Sequence, residues 1–107
     1  MGFHDCSTDR GTRPDKLAKH AVFATPQMFL DVWCLAPGQG QDAHAHAGST
    51  KFYFVLEGRG RFTAGGEERE LGPGGVCWAE AAEPHGVRND SDERLVLLVG
   101  MAPRPGA

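Results

Sequence analysis

Residues 38–58 read GQGQDAHAHAGSTKFYFVLEG, and this stretch decides how the rest of the chain is read. His44 and His46 are separated by a single residue. Side chains alternate faces along a β-strand, so on one strand both imidazoles project the same way. Two neutral imidazoles converging from one strand supply half of a metal site. After four intervening residues comes Lys51, which opens the run Lys51-Phe52-Tyr53-Phe54-Val55-Leu56. This aromatic and β-branched run predicts a buried strand, and Glu57-Gly58-Arg59-Gly60 predicts the turn that ends it. A third histidine, His85, lies well downstream, beyond another stretch rich in glycine and proline.

Composition agrees with short strands and tight turns. The chain has 107 residues, the size of one domain with one core, and carries 15 glycines and 7 prolines. Long segments free of both residues are scarce, which argues against a helical protein. The formal net charge is −3, with acids and bases interspersed and no basic stripe, so nucleic acid is not an expected partner. The longest apolar run, Leu95-Val96-Leu97-Leu98-Val99, is too short to span a bilayer, and the N-terminus lacks the apolar core of a signal peptide. Cys6, Cys34 and Cys77 are odd in number and show no framework spacing, as expected of a cytoplasmic protein.

Taken in order, residues 1–15 are polar and read as a flexible arm, in which His4, Asp5 and Cys6 are metal donors in principle. Residues 16–107 read as one all-β domain. Strands are predicted over 16–25, 27–35, 42–46, 50–56, 59–64, 67–71, 76–79, 85–89 and 93–101, with turns at Pro26, Pro37-Gly38, Gly48, Gly58, Gly65-Gly66, Pro73-Gly74 and Asn89-Asp90. The charged strand 67–71 suits an edge. Pro103 and Pro105 close the chain. Such a series predicts a β-sandwich or barrel, into whose mouth inward residues of different strands converge.

On these residues the chain resembles a small single-domain cupin. That family's first motif is G-x5-H-x-H-x4-E-x6-G, and Gly38, His44, His46 and Gly58 fall on it. Its second is G-x5-P-x-G-x2-H-x3-N, and Gly74, His85 and Asn89 fall on that. The resemblance runs from Gly38 to Asn89, about half the chain. It implies a double-stranded β-helix (jelly-roll) barrel in which His44, His46 and His85 hold one divalent transition metal. It also implies a homodimer with exchanged edge strands. Imidazole suits iron, nickel, copper and zinc alike, and manganese is a further candidate, so the residues do not name the metal. Asn89 is expected to support a turn.

The chain departs from the motifs at three places. Lys51 stands in place of the glutamate that is normally the fourth ligand, Glu80 in place of a proline, and Ala82 in place of a glycine. A protonated lysine cannot ligate, and a dication beside it would lower its pKa. Either three histidines hold the metal with Lys51 turned aside, or no tight metal binds. Water, a substrate oxygen, Glu80 or Glu83 are the substitutes for the missing carboxylate. Lys51 is a candidate to orient an anionic substrate or to act as a general acid; the alternative is a salt-bridged or snorkelling side chain. Tyr53 shares its face and is a candidate hydrogen-bond donor to a ligand, or else core. Phe52, Phe54 and Leu56 take the opposite face. Cys77 reads as a small buried hydrophobe.

The resemblance of three-histidine cupins to thiol and diketone dioxygenases puts oxidation of a small organic molecule first among the activities. Isomerase or lyase action comes next, and a non-catalytic module that binds a metal or a small ligand is the reading of a different class.

Overall fold

The computed structural model describes residues 1–104, so the sequence reading of Pro105 and the end of the barrel segment falls outside the described residues. Nine strands follow one another: β1 Ala18–Ala24, β2 Phe29–Leu35, β3 Gly40–His44, β4 Thr50–Glu57, β5 Gly60–Ala64, β6 Glu67–Leu71, β7 Val76–Ala79, β8 His85–Arg88 and β9 Leu95–Ala102. All pair antiparallel. They form a five-stranded sheet in the order β1-β2-β9-β4-β7 and a four-stranded sheet in the order β3-β8-β5-β6, which face each other as the two walls of a jelly-roll barrel. Among the described residues no helix is long and apolar enough to cross a membrane.

Strand alternation decides what lies inside. On β4, Lys51, Tyr53 and Val55 are buried while Phe52, Phe54 and Leu56 are half-buried on the outer face. β9 is paired on both edges, by β2 and β4, and packs one face into the barrel and the other into the outer cluster, so it reads as a continuous apolar strand. Trp33, Leu35, Tyr53, Val55, Phe62, Cys77, Val87, Leu95, Leu97 and Val99 fill the barrel. Each such side chain contributes about 1.5–3 kcal/mol by leaving water.

A smaller cluster of Ala18, Val32, Cys34 and Val96 lies on the outer face of the larger sheet, with Cys6 packed against it. The first fifteen residues approach that face. They carry a 3-10 turn over Cys6–Thr8, and the Cys34 thiol donates to the Asp9 carbonyl at 3.3 Å. The Gln39 amide donates to the Arg13 carbonyl at 2.6 Å, and the Arg94 guanidinium to the Arg10 carbonyl at 3.0 Å.

The two motifs meet at one end of the barrel. The Gly38 N–H donates to the Asn89 carbonyl at 2.7 Å, and the Asn89 N–H returns a bond to Gln39 at 2.8 Å. Gly38 has φ +86°, a conformation that glycine adopts without cost. The fully buried Asn89 amide donates to the Leu35 and Glu93 carbonyls and accepts from Ser91, so it ties three segments together and is no ligand.

Most strand boundaries lie within one or two residues of expectation, and one of the shifts bears on the site. β3 covers Gly40–His44 rather than 42–46, because its partner β8 begins at His85, directly after Pro84. The ladder ends where His44 pairs with His85, and residues 45 and 46 lie beyond it. His46 therefore rides on the loop beyond the strand.

Candidate metal centre

Three elements carry the three histidines to one place. His44 ends β3, His85 opens β8 beside it in register, and His46 lies on the following loop. The loop is held by the Ala82 N–H, which donates to the His46 carbonyl at 2.8 Å. Ala82 occupies the motif's glycine position and keeps a glycine-like φ of +68°, a strained conformation for a residue with a Cβ. Gly86, next to His85, lets β3 approach: a Cβ there would stand 2.8 Å from the Gln41 carbonyl oxygen. A register shift between Gln41 and His44 completes the bend.

The ring centroids lie 4.9 Å apart for His44 and His46, 4.4 Å for His44 and His85, and 5.4 Å for His46 and His85. One nitrogen from each falls within 4.8 Å of the others. The tautomers follow from the bonding. His44 Nδ1 lies 2.9 Å from the Asp42 carbonyl and His85 Nδ1 lies 3.0 Å from that of Glu83. A carbonyl only accepts, so each Nδ1 carries the proton and each Nε2 presents a lone pair. The Nε2 of His85, a residue 2 % exposed, has no hydrogen-bond partner. Burial lowers the pKa of His46 and of His85; at His85 the hydrogen bond to Glu83 opposes this, and at both the Lys51 charge and the neighbouring imidazoles add to the lowering. Neutral, pre-oriented imidazoles with one orphaned buried lone pair fit a divalent transition metal.

Neither Glu80 nor Glu83 joins this group: the Glu83 carboxylate accepts from the Glu80 N–H at 2.8 Å within its own loop. Lys51 points inward and is 3 % exposed. Its amine donates to Gln41 Oε1 at 3.2 Å and sits 4.5 Å from the Trp33 ring centroid and 5.1 Å from that of Tyr53. Burial, and next the Lys19 charge, lower its pKa to about 8. Tyr53 is fully buried, its ring 6.3 Å from that of His85, and its hydroxyl has no partner. Burial raises the phenol's pKa well above its ordinary value, so it remains a donor. Cys77 lines the interior, and burial raises its thiol pKa.

Sequence reading missed the polar residues around Lys51. Asp31 accepts from the Trp33 indole N–H at 3.3 Å, and Lys19, on the neighbouring strand β1, lies 4.5 Å from the centroid of the same ring. The available signal was parity: Asp31 sits two residues from Trp33 in an otherwise apolar run. A second donor group, His4, Cys6 and Asp9, gathers in the N-terminal segment. Asp9, not Asp5, is its acid, because the Asp5 carboxylate accepts from the Ser7 N–H as an N-cap. The hydrogen bond between His4 and Asp9 accounts for that proximity.

A two-sheet antiparallel barrel with three inward histidines at one end defines a jelly-roll protein with a candidate metal centre. The Cupin domain model matches residues 31–101, and the chain belongs to that family. No curated protein matches the sequence significantly. The crystal structure of TT1209 from Thermus thermophilus is 44 % identical over 98 % of this chain and 100 % of that one, with a TM-score of 0.94. A predicted oxalate decarboxylase from Thermotoga maritima is 22 % identical over 82 % of this chain and 81 % of that one, with a TM-score of 0.77. KdgF from Halomonas is 18 % identical over 99 % and 97 %, with a TM-score of 0.83. The last two are alike in fold.

Proposed function

We propose that this cupin holds one divalent transition metal on His44, His46 and His85 and acts on a small organic molecule, with oxidation by dioxygen ahead of isomerisation or lyase chemistry. The observation that carries the reading is the buried Nε2 of His85, a lone pair without a partner beside two further imidazoles. Such a metal acts as a Lewis acid and, if redox-active, as a site for dioxygen. Three protein ligands leave coordination positions open for substrate. The protein's own groups do the rest. The Asp42 and Glu83 carbonyls orient two of the imidazoles, and the apolar interior excludes water. Lys51 and Tyr53 offer donors beside the site: an ammonium to orient a substrate and a phenol that keeps its proton.

The test is oxygen consumption by Fe(II)-loaded protein with small thiols and β-diketones. Turnover that disappears in His85→Ala supports the oxidative reading. Stoichiometric metal with no turnover across these substrates favours the binding module instead.

Two further readings accompany this one. The three unpaired thiols fit a reducing, cytoplasmic setting. A homodimer is favoured by the outer face of β4 and β7, where Phe52 pairs with a Trp78 that is 60 % exposed and Phe54 with the exposed Val76. A monomer in sedimentation at micromolar concentration would count against it.

A further inference from the structure

Lys51 is a buried cation without a counter-ion. No carboxylate lies within 4.0 Å of its amine among the described residues. An ammonium has three donors, and only one is used, on the neutral amide oxygen of Gln41. Charges of both signs lie further off, Lys19 on one strand and Asp31 on the next, and neither pairs with the amine. Lys19 and Lys51 both lie 4.5 Å from the centroid of the Trp33 ring. Gln41 also lines a separate cavity of about 430 Å³ with Arg13, Lys16, Leu17, Lys19 and Gly40, which Lys51 and the histidines do not line. Arg13 is paired with Asp15, which leaves two lysines on the rim. Asp31 is the acid on this side, and it already accepts from Trp33. The Tyr53 hydroxyl, buried within the same interior, has no acceptor.

Unpaired buried charges are costly, and unpaired donors cost less but still cost. Both are relieved by one compact anion with more than one acceptor oxygen. Position 51 sets the expected chemistry. The motif places a carboxylate there as part of the side chain, and this chain places a group that recruits one.

We propose that Lys51, backed by Gln41, Lys19 and the Tyr53 hydroxyl, is the specificity-determining residue for a small carboxylic acid, whose carboxylate it binds inside the barrel beside the three histidines. The carboxylate accepts charge-assisted hydrogen bonds from Lys51, and the Trp33 indole forms one wall of its site. This deepens the proposed function by naming a substrate class. It rests on that reading only for what happens at the other end of the acid.

Trp33 reports the site directly. The chain has two tryptophans, so a Trp78→Phe background isolates its emission. The full-length protein, as purified and again after metal removal, is titrated with sodium lactate, with neutral lactamide, and with chloride and phosphate at matched ionic strength. Lactate is expected to give a saturable change that lactamide and the inorganic anions do not reproduce. Lys51→Met should weaken lactate about tenfold or more, Lys51→Arg should restore most of the affinity, and the exposed Lys19→Gln should weaken it a few-fold. Lys51→Glu should abolish the lactate response and bind Ni(II) more tightly than the parent. Equal binding of lactamide or chloride, or unchanged affinity in Lys51→Met, overturns the proposal. A lactate response that survives while neither the parent nor Lys51→Glu takes up metal would overturn the metal reading alone.

Discussion

Replacing Lys51 by methionine should stabilise the protein at neutral pH and do nothing for it at high pH. The amine is buried and meets one neutral acceptor and two aromatic faces. Burial, reinforced by Lys19, lowers its pKa from 10.5 to about 8. The sign follows from linkage. A lysine whose folded pKa lies below its unfolded value binds its proton more weakly when folded, so protonation opposes folding. The penalty is complete below about pH 8 and gone above about pH 10.5, and a difference of this size corresponds to about 3 kcal/mol. Methionine has similar length and no charge, but it forfeits cation–π contacts worth about 0.5–1 kcal/mol each. Desolvation wins, which leaves the variant ahead by about 1–3 kcal/mol at pH 7 and by less than about 1 kcal/mol at pH 10.5. Urea denaturation of metal-free protein at several pH values measures the gap. A variant less stable than the parent at pH 7, or a gap that does not shrink as pH rises, would refute this account of Lys51.

Two further outcomes follow from the loop and the imidazoles. Ala82→Gly should raise stability by about 1 kcal/mol, visible in the thermal midpoint, because it relieves a φ of +68° while keeping the N–H that holds His46; an unchanged or lower midpoint would contradict the strain. Metal binding requires neutral imidazoles, and the pKa values of His46 and His85 are lowered by burial. Metal should therefore be retained as pH falls through the ordinary histidine range near 6.5 and be released only in more acid solution, which dialysis at stepped pH with elemental analysis would establish.

The nine strands were legible because each is a short β-forming run between glycine, proline or Asn-Asp punctuation, and the antiparallel pairing needs no long connection. The histidines were legible through their spacing on the motifs. What a linear reading could not supply was register. The end of β3 depends on where β8 begins, so His46 moved off the strand although its imidazole still joins the group. Lys51 resisted for the same reason: alternation gives Lys51 and Tyr53 a common face, but only the closed barrel says that this face is the interior. The cluster of Lys19, Asp31, Trp33 and Gln41 is drawn from three strands and exists only once β1, β2 and β3 are brought together in the barrel. Ala82 shows the reverse case, in which a motif position keeps its backbone conformation after losing the residue type that favours it.

In the proposed site three histidines hold one metal without a carboxylate. The direct measurement is elemental analysis of untagged protein purified without chelator and reconstituted with Fe(II), Zn(II), Ni(II) or Mn(II), alongside His85→Ala and a His44→Ala, His46→Ala double variant. About one equivalent of metal is expected in the parent and well below half an equivalent in both variants, with folded circular-dichroism spectra throughout. A folded parent that takes up none of these metals, or variants that bind as much as the parent, would contradict the proposed site.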